Sequence, residues 1–121
     1  MKTFVLATML LASAAPAYAA DDHKPQYGGV VAETKAGDME LVARPDQIVI
    51  YVSYHAKPMK LTSAIGKITV FNGNDKIEAP LTLAGDRLEA KGSFILGAGT
   101  KVLVDVALNG KPAVAARFTL K

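Results

Sequence analysis

Two histidines, His23 and His55, and no cysteine make up the strong nitrogen and sulfur donors of this 121-residue chain. His23 closes the run Ala20-Asp21-Asp22-His23. In a chain that starts at Asp21, His23 stands third from a free amine. The amine, two deprotonated amides and the imidazole then form a square-planar nitrogen set, which selects Cu(II) or Ni(II). In a chain that starts at Ala20, His23 stands fourth and that chelate is lost. A looser site of Asp21 and Asp22 oxygens with the His23 nitrogen remains, and a merely solubilising arm is the alternative. His55 and Met59 form a second candidate. Imidazole with thioether suits copper, and the softer Cu(I) favours the sulfur. No third ligand is identifiable beside them. The plainer alternative is a surface histidine next to a methionine that caps the core.

Signatures of catalysis are missing from the sequence. No G-x-S-x-G, H-E-x-x-H or phosphate-cradling glycine loop occurs, and neither of the two histidines sits in a nucleophile-elbow context. Asp86 and Glu89 alternate with Arg87 and Lys91, the pattern of a solvated strand face. The expectation is therefore a non-enzyme. Without cysteine the chain has no disulfide, thiolate metal site or thiol catalysis. Lys and Arg alternate with Asp and Glu, so no basic block suggests nucleic acid.

The first nineteen residues read as a secretory signal. Met1-Lys2 gives a positive start, residues 4–11 an apolar run, and Ala14-Ala15-Pro16-Ala17-Tyr18-Ala19 a small-residue cleavage site. The run is too short to span a bilayer, which takes about 20 apolar residues, and no later stretch approaches that length. Cleavage after Ala19 is expected, because a cut after Ala20 would put Tyr18 in a small-residue position. Export without disulfides suits a bacterial periplasm. The expected organisation is a signal peptide over 1–19, a flexible arm over 20–27 and one domain over 28–121.

Within that domain the apolar period is two, not 3.6. Ile48, Ile50, Val52 and Tyr54 alternate with Gln47, Val49, Tyr51 and Ser53 in a strand apolar on both faces, hence central. Val30 to Ala32, Met39 to Arg44, Lys67 to Val70, Lys76 to Leu83, Arg87 to Phe94, Lys101 to Leu108 and Val114 to Lys121 read as further strands. Asn109-Gly110 is a hairpin signal because both residues tolerate positive φ. About eight short strands with turns roughly every 8–12 residues predict an all-β, immunoglobulin-like antiparallel β-sandwich; a small closed barrel is the alternative. Residues 55–63 break the alternation and should form the longest ordered connection. Phe71, Phe94 and Phe118 read as core, and Tyr27, Tyr51 and Tyr54 as a possible exposed patch for a partner.

Taken in order, six short pieces carry a resemblance. They are Pro25-Gln26-Tyr27-Gly28-Gly29-Val30-Val31, Glu40-Leu41-Val42-Ala43-Arg44-Pro45-Asp46, Tyr51-Val52, His55-Ala56-Lys57-Pro58, Asp86-Arg87-Leu88-Glu89-Ala90-Lys91-Gly92 and Gly99-Thr100-Lys101. Over residues 25–121 the chain resembles small periplasmic proteins associated with heavy-metal efflux systems of the resistance-nodulation-division type, and domains at the start of some of their adaptor subunits. The resemblance implies a periplasmic accessory role in handling copper or another divalent cation, with an efflux adaptor or other periplasmic protein as partner. A metal-independent module that docks on such a protein is the competing expectation. This chain has Tyr27 where the family tends to have His, and His55-Ala56 where it tends to have His-Gly. Only His55 carries over directly.

Overall fold

The structure is a computed structural model and describes residues 24–121. The expected signal peptide, and Asp21, Asp22 and His23, lie outside the described residues. Among the described residues nine strands follow one another: β1 (Val30–Thr34), β2 (Gly37–Arg44), β3 (Gln47–Tyr54), β4 (Lys57–Pro58), β5 (Ala64–Asn72), β6 (Asp75–Ala84), β7 (Arg87–Lys91), β8 (Lys101–Leu108) and β9 (Val114–Thr119). Every pairing is antiparallel, in the order β1-β2-β3-β7-β6-β5-β8-β9, with β4 added on β3.

The period-two pattern explains this ladder. Side chains alternate between faces along a strand, so in-register pairs place like with like. Leu41 lies opposite Ile50, and Ile50 opposite Leu88. Across the other half, Ile68 pairs with both Ala79 and Val104, and Val102 pairs with Phe118. All of these side chains are buried and belong to one core. Beginning with Asp75 and ending with Leu81, β6 pairs with β5; its last three residues, Thr82, Leu83 and Ala84, pair with β7 instead. The ladder therefore runs unbroken through β6. Strands β1 and β9 then lie side by side without a backbone ladder between them. This is the connectivity of a nearly closed barrel, the alternative expectation.

Beyond shifts of one to three residues at several strand ends, two expected segments are reorganised. The strand read as ending at Phe94 stops at Lys91. There the chain turns in: the Gly92 and Phe94 amides donate to the carbonyls of Asp46 and Pro45 at 3.2 and 2.7 Å. Phe94 is thereby buried under the end of the sheet, a contribution of about 2–3 kcal/mol for a ring of that size. Residues 55–63 are not one irregular connection, because β4 folds back on β3 with Tyr54 opposite Lys57 and Ser53 opposite Pro58. The longest connection free of strand is residues 92–100.

The β8–β9 hairpin forms at Asn109-Gly110, both at positive φ (54° and 75°). Asn109 does more than turn the chain. Its Oδ1 accepts from the Thr62 amide, the Thr62 hydroxyl and the Ser63 amide at 2.7, 3.1 and 3.4 Å, and its Nδ2 donates to the Lys60 carbonyl at 3.0 Å. One amide side chain thus fixes the segment that leads from β4 into β5. No helix among the described residues is long and apolar enough to cross a membrane.

Candidate functional site at the arm and the β3–β4 turn

Glu40 sits on the outward phase of β2, where alternation predicts a solvated side chain, yet it is only 6% exposed. The chain segment before β1 covers it. The Glu40 carboxylate accepts from the amides of Gln26, Tyr27 and Gly29 at 2.6, 2.8 and 2.8 Å. Three backbone donors on one carboxylate satisfy most of its acceptor sites, and such charge-assisted bonds are short and strong. Gly29 is needed for the close approach, since a Cβ there would run into the Leu41 carbonyl. The end of the arm is therefore tied to the domain.

This tie places Tyr27 over Tyr51 of β3, the two rings stacked with centroids 3.7 Å apart and planes at 10°. Arg87, opposite Tyr51 in the β3–β7 register, donates from Nη1 to the Tyr51 hydroxyl at 3.4 Å and pairs with Glu89 at 3.0 Å. The hydrogen bond to Tyr51, and then the one to Glu89, raise the Arg87 pKa above its ordinary value. The guanidinium so stays charged throughout the usable pH range. Beneath the arm lies a water-sized cavity of about 30 Å³, lined by Lys24, Tyr27, Asp38, Glu40, Tyr51 and Asp86 among others.

The β3–β4 turn adjoins this patch. His55 and Ala56 both take positive φ, 52° and 66°. Positive φ at both central residues is what a tight two-residue hairpin of type I′ requires, and it normally falls to Asn or Gly. Holding an alanine there costs on the order of 1 kcal/mol. Backbone strain of this kind gathers where a side chain has to be presented. His55 is exposed, with its ring against the edge of Tyr54 at 4.1 Å and 66°. The Gln26 side chain donates to the Ala56 carbonyl at 3.4 Å, linking arm and turn.

Of the residues singled out from sequence, His55 is thus displayed beside the arm, whereas Met59 goes elsewhere. The Met59 amide donates to Val52 at 2.9 Å, and its side chain lies against the core over Gly37. It lines a cleft with Ala36, Tyr54, Leu108, Asn109 and Val114, in which His55 has no part. The three tyrosines divide likewise: Tyr27 and Tyr51 stack on the outer face, and Tyr54 lines the cleft. Among the described residues no three His, Cys, Asp or Glu side chains gather into a metal-sized group. Glu40 and Gln26 were not singled out in advance. The only hint was the Gly28-Gly29 pair, which frees the backbone to wrap a carboxylate.

The arrangement is an all-β, nearly closed antiparallel sheet with a backbone-clamped arm on its outer face and a strained, histidine-bearing turn beside it. No family model, curated protein or solved structure matches the chain.

Proposed function

We propose that the chain is an exported, non-enzymatic accessory protein of heavy-metal handling, acting in the periplasm near an efflux complex and holding copper or another divalent cation weakly, as cargo. The observation that carries this reading is convergence. Tyr27, Glu40, Tyr51, the turn at His55 and Ala56, and Asp86 come from five of the separate pieces behind the family resemblance. They meet on one face through the Glu40 clamp, the Tyr27–Tyr51 stack and the Gln26–Ala56 bond. His55 is the imidazole this face offers. One imidazole does not fit a resident structural metal, which takes about four ligands. Lys57 and Lys60 on the same connection oppose a cation by like-charge repulsion.

Titration of the purified protein with Cu(II), Cu(I), Zn(II) and Ni(II), followed at the His55 ring by NMR, tests the reading. A saturable, chelator-reversible response at His55 that His55→Ala removes is the expected result. A His55 ring that is indifferent to saturating metal overturns the ordered site. A response lost only in His23→Ala would place any binding on the arm alone.

A second reading is a metal-independent docking module, and the stacked Tyr27–Tyr51 pair beside Arg87 favours it, since Tyr and Arg are enriched at interface hot spots. Capture of an efflux adaptor that persists in chelator and is lost in Tyr27→Ala would select it over the first.

A further inference from the structure

The cleft that takes up Met59 has no role in the function proposed above. Three connections meet there: Lys35 and Ala36 of the β1–β2 turn, Tyr54 and Met59 around β4, and the β8–β9 hairpin with Leu108, Lys111, Pro112 and Val114. It is the mouth of the nearly closed sheet. Its volume is about 370 Å³, inside the roughly 300–1,000 Å³ of small-molecule pockets. Most of the lining is apolar, with Met59, Leu108, Val114, Pro112, Ala36 and Tyr54; Asn109 is the one described neutral polar residue there besides the tyrosine hydroxyl. Gly37 leaves the floor open to the Met59 methyl, because a Cβ there would come within 3.2 Å of it. Met59 is an adaptable filler that can yield to an apolar guest.

Among the described residues the charge on the lining has one sign: Lys35 and Lys111 line the cleft from opposite connections, and no described carboxylate does. Glu33 lines an adjoining cleft together with Lys35. Neither lysine forms an ion pair with a described carboxylate. Tyr54, which also lines the cleft, is 59% exposed. An apolar chamber with two ammonium groups at its opening is complementary to a molecule with an apolar tail and a single anionic head. Such a guest buries its tail against Met59 and keeps its head between the lysines, half in water.

We propose that this mouth binds a small amphipathic carboxylate, a medium-chain aliphatic acid in chemical class, with Lys35 and Lys111 selecting the anionic head and Met59, Leu108 and Val114 the tail. The site adjoins the His55 turn through Tyr54, but His55 does not line it, and it stands or falls without metal binding.

The test is NMR of methionine-methyl-labelled protein titrated with octanoate, acetate and octylammonium. Octanoate should shift the Met59 methyl saturably and leave the fully buried Met39 methyl in place. Acetate and octylammonium should leave Met59 unmoved. The double variant Lys35→Gln, Lys111→Gln, which alters only exposed side chains, should weaken octanoate binding about tenfold with the Met39 signal unchanged. Equal responses to octanoate and octylammonium would mean the lysines select nothing and would overturn the proposal, as would undiminished octanoate binding in the double variant. A third arm uses phosphatidylglycerol vesicles. A Met59 shift with vesicles but none with octanoate would overturn the free carboxylate in favour of a lipid surface.

Discussion

The Tyr27 ring lies flat on the Tyr51 ring, centroids 3.7 Å apart, although twenty-four positions separate them in the chain. The stack exists because Glu40 fixes the Tyr27 backbone. A double-mutant cycle with Tyr27→Ala and Tyr51→Ala should return a coupling of about 1 kcal/mol in urea unfolding. Tyr27→His is the more telling change. It sets a second imidazole on the same face as His55, so metal affinity should rise at least several-fold. No gain at all would count against metal handling on this face and in favour of the docking module.

Removing the clamp should free the arm before it harms the core. Glu40→Ala leaves the Gln26, Tyr27 and Gly29 amides without their acceptor. These amides can rehydrate, so the expected loss is about 2–3 kcal/mol, below the sum of three charged hydrogen bonds. Amide exchange at Tyr27 and Gly29 should then approach that of free peptide, while Ile50 and Val104 stay among the most protected amides and lose no more than the global loss of stability. Loss of protection at all four positions to the free-peptide level would mean that Glu40 supports the whole sheet.

At the β3–β4 turn, Ala56→Gly should stabilise the protein. Ala56 holds φ at 66°, where glycine meets no Cβ penalty. Relief of about 1–2 kcal/mol, less glycine's greater freedom when unfolded, leaves a net gain of about 0.5–1 kcal/mol. Thermal unfolding reads this directly, and a lower midpoint would show that the turn is not strained as described.

Export has its own measurement. Intact mass of protein recovered from the periplasm should correspond to a chain beginning at Ala20. A start at Asp21 would put His23 third from the amine and open the square-planar copper chelate. Protein retaining residues 1–19 in the inner membrane would remove the export reading.

Much of the sheet was legible because period two is a local signal. The strand read as Gln47 to Tyr54 is β3 to the residue, and its inward set Ile48, Ile50 and Val52 is fully buried. Asn109-Gly110 turned as its residue types require. Strand β4 was not legible, since neither His55 nor Ala56 advertises positive φ and a two-residue strand has no period. Glu40 shows why the site was harder still. Alternation correctly put it on the outer face, but its burial comes from residues 26–29, and backbone amides carry no side-chain signature in the sequence. The direction of Met59 was not legible either: the chain between His55 and Met59 reverses at the turn, and the Met59 side chain lines the cleft over Gly37 while His55 is not among the residues lining it.

The Asn109 cross-link also bears on how this protein ages. Asn-Gly is the dipeptide most prone to deamidate, through attack of the glycine nitrogen on the asparagine side-chain carbon. In the folded chain that side chain is engaged by Lys60, Thr62 and Ser63, and Asn72 of the other Asn-Gly turn is held to the Ile95 carbonyl at 2.9 Å. Both reactive amides are thus tethered by tertiary contacts, and their decay is coupled to opening of the fold. Were Asn109 converted to a carboxylate, its Nδ2 donor to Lys60 would vanish while the acceptor side remained. Residues 60–63 would be loosened in molecules that had once unfolded, leaving a permanent chemical record of that excursion.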